Sequence, residues 1–120
     1  MRAIWIEIPV IKLERAMKFY QTVFDLTETE IIADEVRRIT ILPTPEGAAN
    51  VSLNQTANFE PSDKGTLAYF SVDGDLNRTL EKINVAGGKI VDGKTPRGDF
   101  GFFALVSDSE GNLLTIHSTQ

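Results

Sequence analysis

Apolar and polar residues alternate in short runs that are interrupted by two segments with helical spacing. The first run covers residues 4–10, where every second residue is aliphatic, and this alternation is typical of a β-strand with one buried face. The first helix is predicted from apolar residues that recur on one face, at Leu13, Ala16, Met17, Tyr20 and Phe24. The second helix is predicted from Leu76, Leu80 and Ile83, with Asp75 as its N-cap and Gly87-Gly88 as its left-handed end.

The strand and helix pattern occurs twice along the chain. Segment 66–72 and its helix repeat segment 4–10 and its helix at an offset of about 62 residues. Further β-like runs follow each helix, at residues 36–42 and 48–54 in the first half and at 89–91, 100–107 and 112–118 in the second. The weakest strand signal lies near residues 26–32. The sequence therefore predicts a single domain of two βαβββ modules, about 1–54 and 66–120, joined by linker 55–65.

Strand alternation assigns each predicted strand a face toward its helix and a second face. On the first and fourth strands the second face carries Trp5, Glu7, Asn50 and Ser52. On the third strand Ile39 and Ile41 are assigned to the core, which leaves Arg38 on the second face. In the second module that face carries Leu67, Tyr69, Thr115 and His117. If the two half-sheets curl toward each other, these faces form one concave pocket; otherwise they are exposed to solvent.

Composition narrows the chemistry that the chain can perform. Its 120 residues include no cysteine and one histidine, which excludes disulfides, thiolate metal sites and a site with several histidines from one chain. The net charge of −5 disfavours a nucleic-acid partner, because a phosphate backbone is repelled on average. No apolar run has the length of a membrane span and the N-terminus lacks a signal-peptide pattern, so we expect a cytoplasmic protein without a membrane partner.

Short motifs distributed over nearly the whole chain give it a family resemblance. The paired modules with these motifs resemble the vicinal oxygen chelate superfamily, which includes glyoxalase I, bleomycin-resistance proteins and extradiol dioxygenases. Within it, the chain is most similar to small bacterial lactoylglutathione-lyase-related proteins. The resemblance implies an α+β fold in which two βαβββ modules form a curved, barrel-like mixed sheet with a concave pocket and outer helices, and it implies a homodimer. The motifs are Glu7-Ile8-Pro9-Val10, Leu13-Glu14-Arg15-Ala16, Gly65-Thr66-Leu67, Ala86-Gly87-Gly88-Lys89, Asp108-Ser109-Glu110-Gly111-Asn112 and Ile116-His117-Ser118.

Metal-dependent members of the superfamily hold their ion with side chains on four strands. Carried over to this sequence, the ligand positions are Trp5, either Asn50 or Ser52, Leu67 and Thr115. Tryptophan and leucine offer no lone pair to a divalent ion, and threonine is a poor neutral ligand. The resemblance therefore implies no metal, no other cofactor, and no glyoxalase I chemistry by the usual ligands.

Glu7 and His117 remain as candidate catalytic residues, each two residues beyond a former ligand position. A carboxylate and an imidazole can move a proton next to a carbonyl group, which points to a metal-independent lyase or isomerase. The alternatives are a non-catalytic ligand-sequestering protein like the bleomycin-resistance proteins, a structural module, and a buried Glu–His hydrogen bond without a ligand. The candidate ligand-binding residues are Trp5, Arg38, Asn50, Ser52, Leu67, Tyr69 and Thr115.

Overall fold

The computed structural model describes residues 1–120 and contains eight strands and two α-helices. The first module consists of β1 (Trp5–Pro9), α1 (Leu13–Phe24), β2 (Ile32–Ala33), β3 (Arg37–Leu42) and β4 (Asn50–Thr56). The second consists of β5 (Ala68–Ser71), α2 (Leu76–Val85), β6 (Lys89–Pro96), β7 (Phe102–Ser107) and β8 (Leu113–Ser118). Each module thus has the predicted βαβββ order.

Both helices begin and end where the sequence pattern predicts. The side chain of Asp75 accepts a hydrogen bond from the backbone N–H of Asn77 and so caps α2, and Gly87 adopts the predicted left-handed conformation. The strands differ more from the prediction. β2 has only two residues, β4 extends past the predicted module boundary to Thr56, and a 3-10 turn at Gly98–Phe100 delays the start of β7. Neither helix has the length and apolar character needed to cross a membrane.

The strands form two four-stranded mixed sheets with the same topology. Sheet A has the order β1-β4-β3-β2 and sheet B the order β5-β8-β7-β6. In each sheet the first strand pairs in parallel with the last, and the other pairs are antiparallel. The α+β fold class is therefore confirmed. The two sheets are not hydrogen-bonded to each other and do not close into a barrel.

The predicted orientation of β3 is wrong. Antiparallel pairing places Ile39 opposite Asn54 and Ile41 opposite Ser52, so these isoleucines share the face away from the helices. Thr40 and Leu42 point toward the helices and are buried. A threonine is stable there because its hydroxyl donates to the carbonyl oxygen of Glu30, 2.9 Å away, and also contacts Thr29.

Both modules contribute to one hydrophobic core that lies around the helices. Buried side chains of α1 (Leu13, Ala16, Phe19, Tyr20 and Val23) pack with Leu76, Leu80 and Ile83 of α2 and with the helix-facing residues of both sheets. At the end of α1, the ring of Phe24 meets that of Phe70 edge-on, with 5.7 Å between centroids. The modules are therefore joined through their helices.

The hairpin between β7 and β8 also joins the modules, because its acidic side chain binds the start of α1. Glu110 Oε1 accepts hydrogen bonds from the backbone N–H groups of Ile11 and Lys12, each at 2.9 Å. Its other oxygen accepts from Arg15 Nε at 2.7 Å. Lys12, the N-cap residue of α1, has no capping side-chain bond of its own. The start of the helix is therefore capped by Glu110 of module two together with Gln55, whose Oε1 accepts from the Leu13 N–H at 2.9 Å.

The ionisation of Glu110 depends on these contacts. Burial by itself raises the pKa of this carboxyl, but the hydrogen bonds from Arg15, the Lys12 N–H, Ser109 and the Ile11 N–H outweigh burial and lower the pKa from 4.5 to about 2. The neighbouring Asp108 accepts from the hydroxyl of Tyr20 at 2.7 Å. Burial and this carboxylate raise the pKa of Tyr20 well above its usual value, so the phenol stays protonated.

We expect Glu110→Gln to lower the free energy of unfolding at pH 7 by about 2 kcal/mol, because the charge that binds Arg15 is lost. Since the folded-state pKa is lower than the unfolded-state value, the carboxylate stabilises the fold above pH 4.5, and this contribution disappears as the pH falls toward 2. Urea unfolding at pH 7 and pH 3 measures both effects. The matched control is Glu14→Gln, which removes the exposed ion pair with Arg38. Equal losses in both variants at pH 7 would contradict the interpretation.

Gly88 provides a second test of the junction between modules. A Cβ atom at Gly88 would lie 2.6 Å from the ring of Phe19 in α1 and against the carbonyl oxygen of Ser107. We expect Gly88→Ala to cost about 1–3 kcal/mol through overpacking. Gly93→Ala is the control, because a Cβ atom there meets nothing within 4 Å. Thermal unfolding of both variants measures the difference, and a Gly88→Ala protein as stable as the control would be the contrary result.

Candidate functional site

A chain of hydrogen bonds crosses the face of sheet A that points away from the helices, here called open face A. Trp5 Nε1 donates to Ser52 Oγ at 3.0 Å, and the Ser52 hydroxyl donates to Asn54 Oδ1 at 2.7 Å. Asn54 Nδ2 then donates to Glu7 Oε1 at 2.8 Å. Every donor points toward the carboxylate, so the chain orients Glu7 and stabilises its negative charge.

Further side chains complete open face A. Arg37 Nη1 lies 3.7 Å from Glu7 Oε1. On the adjacent strand β3, Ile39 lies opposite the buried Asn54, and Ile41 lies opposite the buried Ser52. The ring of Trp5 is 45% exposed despite its hydrogen bond. Open face A thus combines an oriented carboxylate, an exposed aromatic ring and apolar side chains.

The corresponding surface of sheet B, open face B, carries aromatic rings around His117. Its ring centroid lies 4.9 Å from that of Phe103, which in turn lies 5.8 Å from the ring of Tyr69. The guanidinium of Arg97 lies over Phe103 at 5.8 Å from the ring centroid. Tyr69 is 58% exposed, so this aromatic surface is accessible in the single chain.

A backbone contact fixes the tautomer of neutral His117. Its Nε2 lies 2.6 Å from the carbonyl oxygen of Phe100 in the 3-10 turn. A carbonyl oxygen only accepts hydrogen bonds, so Nε2 carries the proton and Nδ1 keeps the free lone pair. The turn approaches this closely because it ends at Gly101, where φ is 86° and a Cβ atom would lie 2.7 Å from the Ser118 carbonyl oxygen.

The predicted catalytic residues lie on different sheets. Glu7 is partnered by Asn54 and Arg37, and His117 by Phe100, and no hydrogen bond connects the two. The buried Glu–His pair considered as an alternative is therefore not formed within the chain. Both side chains do lie on the faces opposite the helices, as strand alternation predicts.

The predicted ligand-binding residues divide between the two open faces, with one exception. Asn50 pairs with Trp5 at the start of open face A, while Leu67 precedes β5 and Thr115 is buried beside Tyr69 on sheet B. Arg38 is the exception, because it points toward the helices and binds Glu14 of α1, with Nη2 2.6 Å from Oε2. The neighbouring Arg37 lies on open face A, where the sequence predicts Arg38. The error in β3 alternation accounts for both assignments.

The former metal-ligand positions do not fit a divalent ion. Trp5 directs its N–H at Ser52, Leu67 has no donor atom, and Thr115 lies on the other sheet. No group of three or more His, Asp or Glu side chains comes together anywhere in the chain. The donor set required by the metal-dependent members is therefore not supplied by this chain.

A cavity lies mainly on the helix side of the sheets and reaches open face B at the edge strand β5, where Tyr69 and Ser71 line it. It has a volume of about 750 Å³ and lies between the end of α1, the start of β4, β5 and α2. Neither Glu7 nor His117 lines it, so this cavity is not the concave pocket predicted from strand alternation. Sequence reasoning missed this cavity because its walls bring together core-facing, loop and helix-surface residues of both modules, such as Ile6, Pro43 and Lys82.

Comparisons with known proteins agree with this architecture. The structure superposes on a glyoxylase/bleomycin resistance protein/dioxygenase domain from Frankia sp. with a TM-score of 0.76 at 17% identity, covering 97% of this chain and 95% of that one. A family enzyme from Burkholderia phytofirmans gives a TM-score of 0.74 at 20% identity, with 97% of each chain covered. A glyoxalase I variant from Zea mays gives 0.77 at 18% identity, covering 97% of this chain and 45% of the maize chain. The superpositions show a shared fold, although the sequence identities are low.

The sequence itself carries the family signal. No curated protein sequence gives a significant match to the chain. The model of the Glyoxalase/Bleomycin resistance protein/Dioxygenase superfamily, however, matches residues 2–116. This match covers both modules, including all eight strands except the end of β8. The chain therefore belongs to the glyoxalase/bleomycin resistance/dioxygenase superfamily.

Proposed function

We propose that this protein is a glyoxalase-like small-molecule-binding protein whose ligand lies between open face A of one copy and open face B of a second copy. The observation that carries the proposal is that each face holds reactive and aromatic side chains, yet stays open in a single chain. Ile41 on open face A is 37% exposed, Trp5 45% and Tyr69 58%, so a second copy has apolar surface to cover. In such a homodimer, Glu7 of one copy faces His117 of the other.

The proposed reaction is a metal-independent proton transfer next to a carbonyl, as in a lyase or isomerase. Nδ1 of His117 removes a proton from the carbon beside the carbonyl, and the C–H electron pair moves into an enolate. The hydrogen bond from Nε2 to the Phe100 carbonyl remains in the imidazolium form. The Glu7 carboxylate stabilises the imidazolium, and delivery of its proton to the enolate oxygen gives the enol, so the net reaction is a keto–enol isomerisation.

The charges on the open faces support an anionic carbonyl compound as the ligand. Arg37 lies beside Glu7, and Arg97 lies over Phe103. Either guanidinium can pair with a substrate carboxylate. The second candidate function, sequestration of a planar cation, is supported by the exposed rings of Trp5 and Tyr69. Together the two open faces carry these two arginines and the single carboxylate of Glu7, which opposes a cationic ligand, so we favour the enzyme.

We expect a homodimer, with a sedimentation mass of about twice 13.3 kDa at micromolar concentration. Ile41→Glu should shift the protein toward monomer, because a carboxylate replaces apolar surface on open face A. Val85→Glu is the matched control, since Val85 is exposed on α2 and away from both open faces. A monomeric wild-type protein, or equal dissociation of both variants, would contradict the shared site.

We expect Glu7→Gln and His117→Asn each to reduce catalysis by about 10²-fold, in the range typical of an acid–base group. Exchange of the protons next to the carbonyl of phenylpyruvate in D₂O, followed by ¹H NMR, measures this step without a known substrate. Glu28→Gln, which changes an exposed carboxylate outside both faces, should leave the rate unchanged. Stability measured on the same samples separates a catalytic loss from unfolding.

Mixing the two inactive variants tests whether the site spans two chains. If each site takes Glu7 from one copy and His117 from the other, half of randomly exchanged dimers contain one intact site, and about a quarter of wild-type activity returns. If both residues act within one chain, the mixture stays inactive. Wild-type exchange rates in both single variants would overturn the catalytic assignment itself.

A further inference from the structure

The helix-side cavity exposes side chains that the core leaves incompletely packed. Ile6, Phe24, Leu26, Phe70 and Val72 all line it, and all are only partly buried while packed against the core. The volume of about 750 Å³ is within the range of ligand sites in proteins, roughly 300–1,000 Å³. Partly buried apolar side chains around such a volume favour an apolar occupant, because each gains contacts and loses water.

Sheet A separates the cavity from open face A. Ile6 and Val51 line the cavity from β1 and β4, whereas Trp5, Glu7 and Ser52 of the same strands lie on open face A. Strand alternation makes these two sets point in opposite directions. A ligand in the cavity therefore occupies a different site from a ligand on open face A. The cavity touches open face B at Tyr69, but neither Glu7 nor His117 lines it.

Two cationic side chains from one helix border the cavity. Arg78 and Lys82 are one turn apart on α2 and both line the cavity. Neither forms an ion pair, although four other basic residues of the chain do so. Lys82 is partly buried and its ammonium group donates to no side chain. The pKa of the Asp75 carboxyl is lowered by hydrogen bonds from the Asn77 N–H and Lys94 and also by the charge of Arg78. No side-chain hydrogen bond joins Arg78 to Asp75, so Arg78 and Lys82 can still bind a single carboxylate together.

Two carboxylates also reach the border of the cavity, from separate elements. Asp25 is the C-cap residue of α1 with φ 54°, and Asp73 lies between β5 and α2. Neither forms an ion pair with Arg78 or Lys82. Only the two cations lie one turn apart on the same helix, whereas the two carboxylates lie on separate segments. For this reason we assign a negative charge to the ligand.

We propose that the helix-side cavity is a second binding site, which takes an apolar carboxylate. The hydrocarbon or aromatic part of the ligand lies against Phe24, Phe70 and Val72, and its carboxylate binds Arg78 and Lys82. This site uses neither Glu7 nor His117, so it is distinct from the proposed catalytic site. Its ligand completes a core that both modules share, so binding stabilises the junction between them.

The test uses the purified full chain and three ten-carbon probes: decanoate, decanol and decylamine. Methyl-resolved ¹H–¹³C NMR should show saturable shifts for Ile6, Val51 and Val72 with decanoate, while Ile39 and Ile41 on open face A do not move. Decanoate should bind at least about tenfold more tightly than decanol or decylamine. The decanoate preference should fall as salt is added, because Arg78 is exposed.

Two variants separate the charge contribution from the cavity. Replacing both cations, Arg78→Ala with Lys82→Ala, should weaken decanoate about tenfold or more and leave decanol unchanged. Ala49→Trp, at a partly buried cavity position, should block all three probes by filling the space. The matched control, Lys18→Ala with Lys89→Ala, removes two cations that do not line the cavity and should change nothing.

Three results would overturn the proposal. Equal binding of decanoate and decanol would show that the cations do not select the ligand. Tighter binding of decylamine would assign the selectivity to Asp25 and Asp73. Shifts confined to the open-face methyl groups would place the probe in the catalytic region. The phenylpyruvate exchange experiment tests Glu7 and His117 separately, so its failure would not overturn the cavity site.

Discussion

The carboxylate of Glu110 holds the two modules in one arrangement. Each module is a small half-sheet with one helix, and neither encloses a core by itself. Glu110 reaches from the β7–β8 hairpin to the start of α1, where the first backbone N–H groups of a helix have no partner within the helix. Because this contact fixes α1 against module two, it also fixes the positions of Phe19 on Gly88 and Phe24 on Phe70. The shared core and the helix-side cavity both depend on that placement.

Joining the modules through their helices leaves both open faces accessible. A polar network ending at Glu7 lies on one face, and an aromatic group around His117 lies on the other. Each arrangement is fixed by contacts within its own sheet, so it needs no ligand to form. In the proposed function, a site that uses both faces takes one face from each of two copies, and this connects the proposed chemistry with the proposed dimer.

Sequence reasoning identified the modules and most of the face assignments because those depend on local periodicity. It failed on β3, where Ile39 and Ile41 lie on one face and Leu42 on the other, so the pattern does not decide which face is buried. The alternation treats Ile39 and Ile41 as core because isoleucine is more apolar than threonine. Pairing with β4 decides otherwise, and the Thr40 hydroxyl finds a carbonyl acceptor inside the core. The same reversal exchanges Arg37 and Arg38 between the open face and the helix side.

The sequence by itself determined the two βαβββ modules, both helix boundaries and the second-face positions of Trp5, Glu7, Tyr69 and His117. Those features follow from backbone periods of 3.6 and 2 residues, which act over a few neighbouring positions. The tertiary structure alone decided the role of Glu110, the partners of Glu7 and His117, and the cavity beside Arg78 and Lys82. These features join residues that are distant in the chain. Periodicity carries no information about which hairpin reaches which helix, because that depends on how the modules pack.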